Sequence, residues 1–170
     1  MKGRPGVESV PRVVSTSAAV INPAATALAV LYARVALGAA FLSAVASRFG
    51  IWQGTPGMSK FGGFLEYTAE VNSFMPTWTI PYLAWAATAS ETGLGVALIV
   101  GGVTGMVSDR SAEFSRWVAW GSAALLALFG TAMAISGGIK SPLDYSVFSA
   151  SACALLLAVH PGTRVEVPRS

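Results

Sequence analysis

The sequence predicts an all-α fold, a transmembrane four-helix bundle with an amphipathic interfacial helix between its first and second spans. Three observations lead there. Of 170 residues, 54% are hydrophobic and only 11% charged, against roughly 25% charged in an average globular chain, and the mean hydropathy is +0.61. The few charges cluster between long apolar runs instead of recurring through them. One of those runs, Ile80 to Val103, holds a single ionisable side chain, Glu91, at its middle. A carboxylate in a bilayer core has no water, so it must meet a cation or take up a proton.

The length suits one compact bundle without a second domain. The formal charge of +3 does not signal nucleic acid, because the Lys and Arg residues flank apolar runs and form no basic face with interleaved aromatics. With one cysteine, Cys153, the chain builds no internal disulfide and no CxxC pair. With one histidine, His160, it builds no bis-histidine haem site, and no cluster has the pattern of a metal centre. A redox role therefore calls for a quinone, a partner protein or an oligomer.

Taken in order, residues 1–23 carry Lys2, Arg4 and Arg12 among Pro, Ser, Thr and Val. No short uncharged core of a secretory signal precedes a cleavage site, so the segment reads as an uncleaved, disordered cytoplasmic tail. The membrane domain covers 24–160. Its first span, 24–47, is long enough to cross a core of about 30 Å. Arg34, Leu37, Gly38, Phe41, Val45 and Arg48 share one helical face of it, and Arg48, at its end, reads as an interfacial anchor.

From Lys60 to Met75 the apolar Phe61, Phe64, Leu65, Val71, Phe74 and Met75 recur at helical steps opposite Lys60, Glu66, Glu70 and Asn72, as in a helix lying on a membrane surface. Trp52, Trp78 and Tyr82 fit an aromatic belt. In the second span, 80–103, Ala89, Gly93, Ala97 and Gly101 form a small-residue stripe suited to close packing. Glu91 points away from it, beside Thr88, Leu94, Gly95 and Leu98.

A polar connection with Asp109, Arg110, Glu113 and Arg116 follows, in which Asp109 or Ser111 caps the next helix. The third span, 117–139, has no ionisable side chain. Ser141-Pro142-Leu143-Asp144 reads as the start of the fourth, 143–159, with Ser141 as N-cap, Pro142 in the first turn and Asp144 favoured by the helix dipole. Residues 161–170 form a short tail.

Four spans put both termini on one side. That side carries three basic residues in the amino tail, two in the 104–116 connection and two in the carboxyl tail; the other has Lys60, Lys140 and Arg48. The bias places both termini in the cytoplasm. Counting from the ends of the runs, Arg34 lies about 15 Å from one boundary and Glu91 about 16 Å from the other, so both fall at the midplane. The count predicts a buried Arg34–Glu91 ion pair, which either fastens the helices or floors a cavity. Asp144 either caps its helix or meets Arg48 at the outer mouth.

With these residues laid out, the chain resembles the DoxX family of small four-span bacterial membrane proteins. Arg34-x3-Gly38-x2-Phe41 followed by Arg48 is similar to the family's Arg, Gly, Phe and basic residue. Glu91-Thr-Gly-Leu-Gly with Gly101-Gly102 resembles its Glu-x-Gly-Gly segment, and Ser141-Pro142-Leu143-Asp144-Tyr145-Ser146 resembles the fourth-span start of one subgroup. Val45 and Arg48 depart from the small residue and the commoner Lys of the pattern. The resemblance implies a redox-associated protein of the bacterial inner membrane. On that footing three functions are open. The first is a membrane subunit of a quinone-linked assembly with soluble redox partners, holding the quinone among Arg48, Asp144 and Tyr145. The second is a non-enzymatic scaffold, and the third a small proton-coupled transporter using Glu91. The small-residue stripes also suit a homo-oligomer.

Overall fold

The computed structural model describes residues 22–52, 60–104 and 109–160, and among them every regular element is helical. The helices are α1 (Pro23–Arg48), α2 (Phe61–Val71), α3 (Ile80–Thr104), α4 (Asp109–Gly137), α5 (Lys140–Asp144) and α6 (Val147–Val159), with one 3-10 turn, Thr77–Thr79, leading into α3. The expected tails fall almost wholly outside the described residues, as do the side chains of Asp109 and Ser111 expected to cap α4.

The helix over 23–48, the one over 77–104 and the part of α4 over 113–137 are each long and apolar enough to cross a membrane. Their outward faces carry Leu28, Tyr32, Val96, Val100, Leu128 and Ile135, all exposed. A water-soluble bundle turns polar side chains outward; these helices turn apolar ones outward, as lipid requires. α6 is equally apolar but shorter.

α1 begins where Asn22 accepts hydrogen bonds from the backbone N–H groups of Ala24 and Ala25, with Pro23 in the first turn. α1 packs mainly on α3 and α4 mainly on α6, and contacts of α3 with α4 and of α1 with α6 close the ring. The core between them is built from Leu37, Phe41, Leu98, Val118, Ala123 and Leu157. α1 and α3 approach closely at Gly38, where a Cβ would stand 2.7 Å from the carbonyl oxygen of Gly95. Only a glycine lets the two backbones meet there.

Of the stripe expected to pack, Ala89 and Gly93 are exposed, with open space beside Gly93, whereas Ala97 is half-buried against the core and Gly101 is buried. The packed glycines are Gly95, Gly101 and Gly102, which are buried with Glu91, Thr88 and Leu98. α1 and α4 both lie on the Glu91 side, against Gly95 and Gly101 respectively. The cause is energetic: lipid accepts an outward alanine or glycine at little cost, whereas a carboxylate must face protein.

α4 starts at Asp109, one of the two residues expected at its beginning, so the polar residues before Trp117 form its first turns. One further boundary differs from expectation. The fourth apolar run is broken. Ser141 and Pro142 lie inside the one-turn α5, Ser141 makes no capping bond, and the chain passes through Tyr145 and Ser146 before α6 begins. Ser146 adopts φ 55°, a left-handed conformation that interrupts any continuous helix.

Candidate functional site

The site forms because the helices are staggered. Arg48 is the last residue of α1, yet its Nη1 donates a hydrogen bond of 3.0 Å to the hydroxyl of Thr88, eight residues inside α3. About 12 Å of α3 therefore continues past the end of α1, and α2 fills the space above. Phe64 of α2 lies over the guanidinium, 3.6 Å from its carbon to the ring centroid. Phe61 stacks between Phe49 and Trp85, with centroids 6.3 and 4.5 Å away. The amphipathic helix thus exists as expected, but it ends at Val71, where Asn72 bonds back to Thr68, and its apolar face closes the end of the bundle. Ser136 of α4 ties it down by donating to the carbonyl of Val71 at 2.8 Å.

Beneath that cover, Arg48 Nη2 stands 2.7 Å from Glu91 Oε2. Glu91 is 3% exposed and Arg48 7%. Thr88 completes the group: its hydroxyl accepts from Arg48 and donates to the carbonyl of Ala84 at 2.8 Å. Glu91 Oε2 is fully enclosed and receives no aligned hydrogen bond among the described residues, so its contact with Arg48 is ionic and off the line of the N–H groups.

The expected Arg34–Glu91 pair does not form. Gly102 packs on the stem of Arg34, its Cβ position 3.3 Å from that of Arg34, and Gly102 lies eleven residues beyond Glu91, about 16 Å along α3. The midplane count assumed that each apolar run begins at the membrane boundary. α1 is instead displaced toward its amino end relative to α3, which lowers Arg48 to the depth of Glu91 and carries Arg34 below it. Arg34, 3% exposed, donates from Nη1 to the carbonyl of Ser115 at 3.1 Å.

The expected grouping of Arg48, Asp144 and Tyr145 is not assembled either. Asp144 closes α5 and pairs with Lys140 one turn back, both exposed, so a partner four residues away takes the acid that Arg48 would have needed. Tyr145 is exposed. Thr88 and Phe64 are the members of the site that sequence reasoning left unassigned. Their signal was Thr88 three residues before Glu91 on one face, and a paired aromatic face on α2 able to cover a cation.

Among the described residues no group of His, Cys, Asp and Glu is arranged to hold a metal ion. Compared with protein-family models, curated proteins and solved structures, the chain finds no match.

Proposed function

We propose that this is a DoxX-like bacterial inner-membrane protein of four spans with both termini cytoplasmic, acting as a small membrane subunit of a quinone-linked redox assembly. The fourth span is α6 together with α5. One observation carries the functional reading: an arginine, a glutamate and a threonine are gathered inside a largely apolar bundle and covered by aromatic rings. Ionisable groups at such depth are costly to keep and mark sites of function.

The residues fit a quinone headgroup on a specific point. Glu91 Oε2 lacks an aligned donor, which a hydroquinone hydroxyl would supply only once the cover that encloses the atom is displaced. Arg48 holds N–H groups of the kind that bind quinone carbonyls, and Phe61, Phe64 and Trp85 offer flat faces to its ring; the Thr88 hydroxyl is already spent on the Ala84 carbonyl and holds Arg48 in place. Phe64 covers the guanidinium, so a ring ligand reaches Arg48 only by taking the place of that side chain. When bound, the quinone would supply two-electron redox chemistry; Arg48 would orient it, and Glu91 would hold the proton that accompanies reduction.

Extraction in mild detergent tests this. Purified protein should retain quinone at up to one per chain, and Glu91→Gln should lower retention. Loss of all quinone under conditions that keep the bundle folded would count against the reading.

A further inference from the structure

The second buried cation, Arg34, plays no part in the site just described. Its side chain lies between α1, α3 and α4 at the end of the bundle where α3 passes to α4, held by Gly102 on one side and by the Ser115 carbonyl on the other. A guanidinium carries five N–H donors. Ser115 takes one, and among the described side chains, which do not include that of Asp109, no carboxylate lies within 4.0 Å of Arg34 to form an ion pair. A neutral carbonyl does not balance a buried positive charge. The remaining Arg34 nitrogens are not among the fully enclosed unbonded atoms, of which Glu91 Oε2 is the one found among the described residues. They keep some accessible surface, so an external group has an approach.

The surroundings indicate which group. Ser115 is flanked on α4 by Glu113, Phe114, Arg116 and Trp117, all exposed. Exposed charges interleaved with aromatics mark the depth of lipid headgroups, where phosphate oxygens are the abundant anions. A guanidinium with one edge fixed on a carbonyl has its other N–H groups free for the oxygens of a tetrahedral oxyanion. We propose that Arg34 anchors a site for a phosphate-class oxyanion at this end of the bundle, supplied by a phospholipid headgroup or by a soluble phosphate.

The full chain, delipidated in a maltoside detergent that contains no phosphate, permits the test. Its thermal midpoint is followed during titration with short-chain phosphatidylglycerol and, separately, with inorganic phosphate at constant ionic strength. The expected result is a saturable rise with one probe or both, unchanged in Arg116→Gln and absent in Arg34→Gln. A rise with lipid alone identifies a headgroup, and a rise with phosphate alone a soluble anion. Should Arg34→Gln fail to fold, Arg34→Lys keeps the charge but loses the fork, and its half-saturation should move to higher probe concentration. The proposal is overturned if wild type responds to neither probe, or if the Arg34 variants respond as wild type does. It also falls if both probes are silent while Asp109→Asn lowers the midpoint, which would place the counter-charge within the chain.

Discussion

The ring of Phe64 covers the guanidinium of Arg48 at 3.6 Å, so the last residue of the first helix ends beneath the second instead of reaching water. A cation in that position is held by three kinds of interaction at once: the charge of Glu91, the hydroxyl of Thr88 and the face of an aromatic ring.

Removing one partner of the buried pair should cost more than removing both. Arg48→Leu or Glu91→Leu alone strands a charge among apolar side chains, at a cost of about 3–5 kcal/mol, whereas the double change leaves only apolar groups and should cost less than either. Reversible unfolding in mixed micelles measures the cycle. Single changes that are tolerated and whose effects simply add in the double variant would show that the two charges are not coupled.

Phe64→Ala should loosen α2 without unfolding the bundle. The variant loses the contact with the cation, about 2 kcal/mol when desolvated, together with the burial of the ring. Amide exchange in α2 should accelerate while the buried part of α3 around Leu98 keeps its protection. Equal acceleration in both would mean that α2 is part of the same cooperative unit.

Two glycine replacements should have opposite signs. At Gly38 a methyl group meets the Gly95 carbonyl and the Ile99 side chain, each 2.7 Å away, and the backbone oxygen cannot swing aside. Gly38→Ala should therefore destabilise by about 1–3 kcal/mol. At Gly93 nothing lies within 4 Å, and Gly93→Ala should stabilise by up to about 1 kcal/mol through its helical preference. The shift in unfolding midpoint checks both.

Alkaline pH should reveal the packing of Tyr67 on α2. Burial pushes its phenol above the usual tyrosine range, and the nearby Tyr145 and Glu70 push in the same direction. The unfolded chain then gives up this proton first, at about pH 10. The contribution is complete below that value and is lost as pH rises through the folded-state value. Tyr67→Phe should flatten the fall in stability above pH 10, read from unfolding midpoints; an unchanged slope would mean that the phenol is solvated.

The helices of the two first apolar runs were legible almost to the residue, because a long apolar run in a chain with few charges has one economical solution. The site was legible as to Glu91 and misread as to its partner. Arg48 closes an apolar run, and a terminal basic residue ordinarily reaches the interface; nothing local in the sequence encodes that α3 extends beyond α1 or that α2 folds over the gap. Such stagger is set by where two backbones approach, here at Gly38 and Gly95, and glycines are too frequent in this chain for one pair to stand out. The break before α6 was hidden for a related reason: Pro142 has the look of a helix start, while the interruption comes four residues later, at a serine in a left-handed conformation.

That interruption leaves α6 with thirteen residues, a rise of about 20 Å where the hydrocarbon layer measures about 30 Å. Under the proposal that α6 belongs to a fourth span, lipid beside this helix would face a hydrophobic mismatch: either α5 would complete the crossing obliquely, or the acyl chains on that flank would compress and the bilayer would dimple. The protein would then favour thin regions of its membrane and draw short-chain lipids to one side of itself.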